Sequence, residues 1–295
     1  MKAFALVVLI AALAAPAAYA DGLPVLGVDV GADGVTVPGS DARFVALGTP
    51  RGTVVARISL RGGRVETFRY VRGRYTVPAV AYDGSVGGLS AGGRTLVLLV
   101  PRVTFPRERT RFRILDTATL RTRATIDLRG DYSFDAVSPD GSFLFFIHYL
   151  SPDDPTYYEV RAYDVLGRRL LAMPIVDPDE AGEEMRGNPL TRTTSPDGRW
   201  AYTLYDGNGK PFVHALDTVG RTARCLDLDG LAGRDLNGAR LVLDGRSVSV
   251  QLRGHTVAVV GNDVAAAGLP WAPLGAGVLA AIAAAVFVWR RRAIA

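Results

Sequence analysis

Residues 137–150 read VSPDGSFLFFIHYL and residues 194–206 read TSPDGRWAYTLYD. In both, a Ser-Pro-Asp-Gly turn leads straight into a run of aromatic and aliphatic residues. Glycine supplies the positive φ that a tight turn between strands requires, and Asp and Ser bond readily to nearby backbone. The same frame recurs as LVLDGRSVSVQL at 241–252 and as LSAGGRTLVLLV at 89–100, where Gly92-Gly93 replace Asp-Gly. A weaker copy, PGSDARFVAL at 38–47, sets Asp41-Ala42 in that place. Successive turns are 51, 48, 57 and 47 residues apart. Regular self-similarity at this period marks a repeat architecture.

Each copy has one internal order: a strand into the turn, a second strand, a variable loop, a third strand ending in ILDTATLR, AYDVLGRR or ALDTVGRT, and a fourth strand. Four short strands in about 50 residues, with little helix signal, is the layout of a β-propeller blade. The repeats resemble the TolB-type and WD40-like propeller families, whose blades carry S-P-D-G turns. The resemblance covers roughly residues 24–264, and it lacks the Gly-His and Trp-Asp signature of WD40 proteins. It implies an all-β propeller and no particular activity. The five copies give an expectation of five four-stranded blades, with a less regular barrel or sandwich as the alternative. The last copy ends at HTVAVVGND, so the N-terminal strand Leu23–Val30 is expected to complete the last blade and close the ring.

Gly88-Leu89-Ser90-Ala91-Gly92 spells the G-x-S-x-G elbow of serine hydrolases. That elbow requires a helix after the turn. Here RTLVLLV follows, a strand pattern, and Ser138 and Ser195 take the same place in copies without the motif. Ser90 is expected to be a structural turn residue whose loss leaves stability nearly unchanged.

The chain has 295 residues, and its two ends differ from the rest. Residues 1–20 have Lys2, an apolar run and Ala18-Tyr19-Ala20, the form of a cleaved signal peptide. Residues 269–289 contain an uncharged run from Trp271 to Trp289, and Arg290, Arg291 and Arg292 follow it, so a single transmembrane helix with a cytoplasmic tail, residues 290–295, is expected. This end resembles a sortase signal but has Ala272-Pro273 where Thr-Gly would stand, which favours a retained span. Residues 21–268 would then lie outside the cytoplasm. Lys2 and the three terminal arginines account for most of the net charge of +5, leaving 30 basic against 29 acidic residues. A near-neutral ectodomain gives no support for nucleic-acid binding. Cys225 is the sole cysteine, so no internal disulfide is available, and its alternating context reads as a strand.

Nine residues before each turn stand Asp83, Asp131, Asn188 and Asp235, and Asp33 lies eight before the first. Such groups cap loop-to-strand turns through local backbone bonds. Converging on one axis, they could also hold a hard cation such as calcium. Two loops of opposite charge are further candidates: one with Arg102, Arg107, Arg109 and Arg111, the other, VDPDEAGEEMRGN, with Asp177, Asp179, Glu180, Glu183 and Glu184. Arg107, Arg109, Glu183 and Glu184 are the rim residues expected to meet a ligand. His148, His214 and His255 have no metal-ligand spacing, and no cofactor other than calcium is indicated. The leading reading is a membrane-anchored binding module for a protein or a small extracellular ligand. The alternatives are a glycosidase-like enzyme using Asp83, Asp131 and Asp235, and a non-catalytic subunit of a membrane complex.

Overall fold

A computed structural model describes residues 34–180, 182, 184–245 and 247–260. The first sheet holds β1 (Ala42–Thr49), β2 (Gly52–Ser59) and β3 (Val65–Arg72). The second holds β4 (Thr95–Leu99), β5 (Arg109–Asp116) and β6 (Thr122–Arg129). The third runs through β7 (Tyr132–Val137), β8 (Phe143–Tyr149), β9 (Tyr157–Asp164) and β10 (Arg169–Ile175), with a short β11 (Met185–Arg186) also pairing β9. The fourth has β12 (Pro189–Thr194), β13 (Trp200–Tyr205), β14 (Phe212–Asp217) and β15 (Thr222–Asp227). The fifth has β16 (Arg240–Asp244), β17 (Ser247–Leu252) and β18 (His255–Val260). Apart from β11, every sheet is an antiparallel meander whose neighbours follow chain order.

The sheets stack face to face in the same order. Phe44 and Val55 of the first sheet share a core with Leu96 and Leu115 of the second. Phe112 and Ile114 of the second meet Phe134 and Phe146 of the third, and the Phe112 and Phe146 rings stack at 4.3 Å. Phe145 and Val160 of the third pack with Ala201 and Leu216 of the fourth. Tyr202 and Val213 of the fourth pack with Leu241 and Val250 of the fifth. Meander sheets packed in series are the arrangement of a β-propeller. Such packing covers both faces of an inner strand, so Thr95–Leu99 and Trp200–Tyr205 are buried throughout, while β3 and β6 at the sheet edges are largely exposed.

The repeated turns are built alike. The hydroxyl of Ser138 accepts from the amide of Phe143 at 2.9 Å, and that of Ser195 accepts from Trp200 at 2.9 Å. Ser90 does the same for Thr95 at 3.2 Å, and strand β4 follows, so Ser90 is a turn residue. It is also fully buried and holds the Thr95 amide, so its removal costs more than the sequence implies. Asp140 and Asp197 accept from the amides two residues on and from the turn serines. Gly141 has φ +76°, and a Cβ there would overlap the Thr95 side chain of the neighbouring sheet.

The inner positions are less uniform than four strands per repeat would require. In the first sheet the inner position is a single bridge, Val35 to Phe44. In the second it is split into bridges at Thr76 and Leu89, with residues 77–88 between them. The expected signal peptide, the closing strand Leu23–Val30, Asp33 and the apolar span lie outside the described residues. Among the described residues no helix is long and apolar enough to cross a membrane.

Candidate functional site

Residues 78–87 form a small hairpin. Val80 donates to the Ser85 carbonyl and Gly87 to Pro78. Its tip bonds to a sheet that is not its neighbour: Tyr82 N donates to Pro189 O at 2.9 Å, and Asp83 N to Leu190 O at 3.1 Å. The second and fourth sheets are separated by the third, so this contact spans the central axis. Tyr82 Oη also donates to Asn188 Oδ1 at 2.8 Å. Among the described residues the hairpin thus bridges the second and fourth sheets.

Beside the hairpin is a cavity of about 120 Å³, with Val80, Leu89, Phe134, Asp135 and Arg192 in its wall. Asp135 and Arg192 are both buried and form an ion pair between the third and fourth sheets. Arg192 also donates to the Asp135 carbonyl at 2.7 Å and to Thr203 Oγ1 at 2.7 Å. Such pairing is the condition under which two charges can leave water.

A second buried pair fixes the loop before β5. The Asp131 side chain is 2% exposed and accepts from Arg102 Nη2 at 2.6 Å, Arg107 Nε at 3.1 Å and the Arg107 amide at 3.0 Å. Burial and the adjacent Arg102 charge, against the attraction of Asp131, lower the Arg107 guanidinium to about 10. Arg102 lies over the Tyr149 ring at 4.8 Å, and burial pushes the Tyr149 phenol up to about 12.

The acidic insertion after β10 folds onto the fourth sheet. Asp177 accepts from the Cys225 amide at 2.9 Å and from Arg224 Nη1 at 2.8 Å, and Asp179 also pairs with Arg224. This satisfies an amide of β15, the outer strand of that sheet. Beneath the insertion is a cavity of about 60 Å³ with Asp177, Met185, Phe212, His214 and Cys225 in its wall. Burial, with the Arg192 charge and against Asp135 and Asp177, lowers the His214 imidazole to about 4.

The sequence-derived candidates are thus held in different ways. Asp83 and Asp235 are exposed, and each accepts from the amide two residues ahead, Ser85 and Asn237, as turn caps do. Asp131 is neutralised by two arginines. Asn188 bonds to Asp206 and Tyr82. Arg107 is an internal ion-pair partner rather than a free rim charge. Arg109 lies on strand β5, not on a loop, and pairs with Asp127 of β6 at 2.9 Å. Glu184 pairs with Arg186 at 2.7 Å, and Glu183 lies outside the described residues. Among the described residues no three His, Cys, Asp or Glu side chains are grouped to hold a metal ion. His148 is partly exposed: it stacks on Tyr132 at 4.3 Å and meets Glu159 at 3.0 Å.

Sequence reasoning missed the Asp135–Arg192 pair and the His214–Cys225 pair. The signal for the first was present: YSFDAV and PLTRTT each carry one charge in a strand that leads into the turn and should be buried.

No protein-family model and no curated protein matches this chain. Solved structures that it resembles include hydrazine synthase of Kuenenia stuttgartiensis, at 16% identity and TM-score 0.39, covering 62% of this chain and 51% of that one. TolB from Acinetobacter baumannii gives 12% identity and TM-score 0.39 over 72% of this chain and 45% of its own. The Cps50 (Swd1) β-propeller domain of Myceliophteria thermophila gives 13% and 0.42 over 72% and 60%. The chain spans about half the length of the first of these. At TM-scores below 0.5 these likenesses carry no argument, and the fold rests on the sheet order and packing described above.

Proposed function

We propose that the chain is a membrane-anchored, extracytoplasmic propeller of five blades that works as a protein-binding module. Its last blade would be completed by Leu23–Val30, and residues 269–289 would hold it in the membrane. The observation that carries the binding role is the hairpin across the axis. Its bonds to Pro189 and Leu190 would set it in the route by which a substrate enters the centre of a propeller. The carboxylate best placed for chemistry, Asp131, is already taken up by Arg102 and Arg107. Surface loops then remain as the means of recognition, as is usual where a rigid scaffold presents them.

The loop between β4 and β5 is the region assigned to partner contact. Val103 at its tip is 92% exposed, and Leu166, in the β9–β10 turn at the opposite end of the sheets, is equally exposed. A photocrosslinking residue at Val103 should give a discrete protein adduct in intact cells, and one at Leu166 should not. Adducts at neither position, or equally at both, would remove the binding reading. Protease added to intact cells should digest the propeller and spare a tag after Ala295, whereas a protected propeller would reverse the membrane placement.

A further inference from the structure

Four polar residues of the fourth sheet stand in one rank. Arg192 is paired in register with Thr203, Thr203 with His214, and His214 with Cys225. Residues directly opposite on neighbouring strands share a face, with Cβ atoms roughly 5 Å apart. Ala201, Leu216 and Ala223 mark this face as the one packed on the third sheet. The inner end of the rank closes on Asp135. The outer end is different: His214 is 1% exposed, its Nε2 has no hydrogen-bond partner, and its ring and Cys225 line the same cavity of about 60 Å³. Met185, brought over by β11, lines that cavity too.

We propose that His214 and Cys225, with the Met185 thioether as a third donor, bind a soft transition-metal ion, Cu(I). An imidazole, a thiol and a thioether are the donor set that selects this ion over hard cations. A calcium or zinc site would need several carboxylates or imidazoles at bonding distance of one ion, and among the described residues no three His, Cys, Asp or Glu side chains are grouped closely enough to hold one. Asp177, Glu180, Glu184 and Asp227 line the same cavity and favour entry of a cation. Binding releases the thiol proton and gives the buried imidazole nitrogen a partner. The site does not depend on the protein-binding role.

The test uses the full chain in detergent under anaerobic reducing conditions, with Cu(I) offered as its complex with a chromophoric chelator. One copper per chain should transfer, and its X-ray absorption spectrum should show nitrogen and sulfur together. Cys225→Ser and His214→Ala should each weaken retention by more than the roughly 10–100-fold that loss of an outer partner costs, and Met185→Leu by less. Failure to take copper from the chelator, a shell of sulfur alone, or unchanged affinity in His214→Ala would overturn the proposal. Should His214→Ala not fold, the wild-type spectrum decides.

Discussion

Asp83 and Asp131 hold the same place in successive repeats, nine residues before the turn, yet they do opposite things. Asp131 is buried beneath two guanidiniums, and Asp83 caps a turn at the exposed tip of a hairpin. The third sheet has a full inner strand, β7, directly after Asp131. The second sheet has given up its inner strand, and the freed residues reach across to β12. Equivalent positions in a repeat therefore share backbone placement but not environment. The environment decides whether a carboxylate is a surface cap or an internal tie.

Truncating the two carboxylates should expose that contrast most strongly. Asp131→Ala leaves Arg102 and Arg107 buried without their anion, and loss of one partner of a buried pair costs about 3–5 kcal/mol. Asp83→Ala removes one exposed cap bond and should cost no more than about 1 kcal/mol. Urea unfolding of both variants measures the difference. Equal losses would mean that the hairpin tip is as deeply tied as the Asp131 cluster.

The turn glycines allow a second comparison. Gly141 and Gly93 both have positive φ, but a Cβ on Gly141 meets Thr95, and one on Gly93 meets nothing within 4 Å. Left-handed backbone alone costs a non-glycine residue about 1–2 kcal/mol. Gly93→Ala should cost about that much, and Gly141→Ala about 1–3 kcal/mol more from overpacking. Similar midpoints would show that the third-sheet turn does not press on the second.

His214 gives a smaller effect under ordinary conditions, because it develops only in acid. Burial holds its folded value at about 4, against the ordinary 6.5 of an exposed imidazole. Between these values the unfolded chain binds the proton and the folded one does not. Stability present above pH 6.5 is lost as pH falls toward 4, up to a ceiling of about 3 kcal/mol. Melting temperatures of the wild type and His214→Gln across this window test the sign: the wild type should fall more steeply.

Much of the fold was legible because it is written in local chemistry. The expected second strands begin near Ala42, Gly93, Gly141, Gly198 and Gly245, and β1, β4, β8, β13 and β17 start at those positions or two residues after. Turn geometry demands Gly and Ser at set offsets, and a strand covered on both faces must be apolar. The candidate site was legible only in part. Asp131 stood out by position, but its partners Arg102 and Arg107 read as rim charges, because local sequence carries no sign that a loop folds inward.

The sequence by itself determined the all-β class, the repeat, the strand starts and the structural role of Ser90. The strand starts and the role of Ser90 depend on residues within about five positions of one another, where turn dihedrals and side-chain alternation act directly, and the repeat is that local pattern recurring along the chain. Tertiary structure alone decided that residues 78–87 cross the axis and that Asp135 meets Arg192, 57 residues away. It also decided that His214 and Cys225 share one cavity under the acidic insertion. Those outcomes follow from which sheets stack and which charges must find partners once water is excluded; a local pattern can mark a charge as buried but does not say which partner it meets.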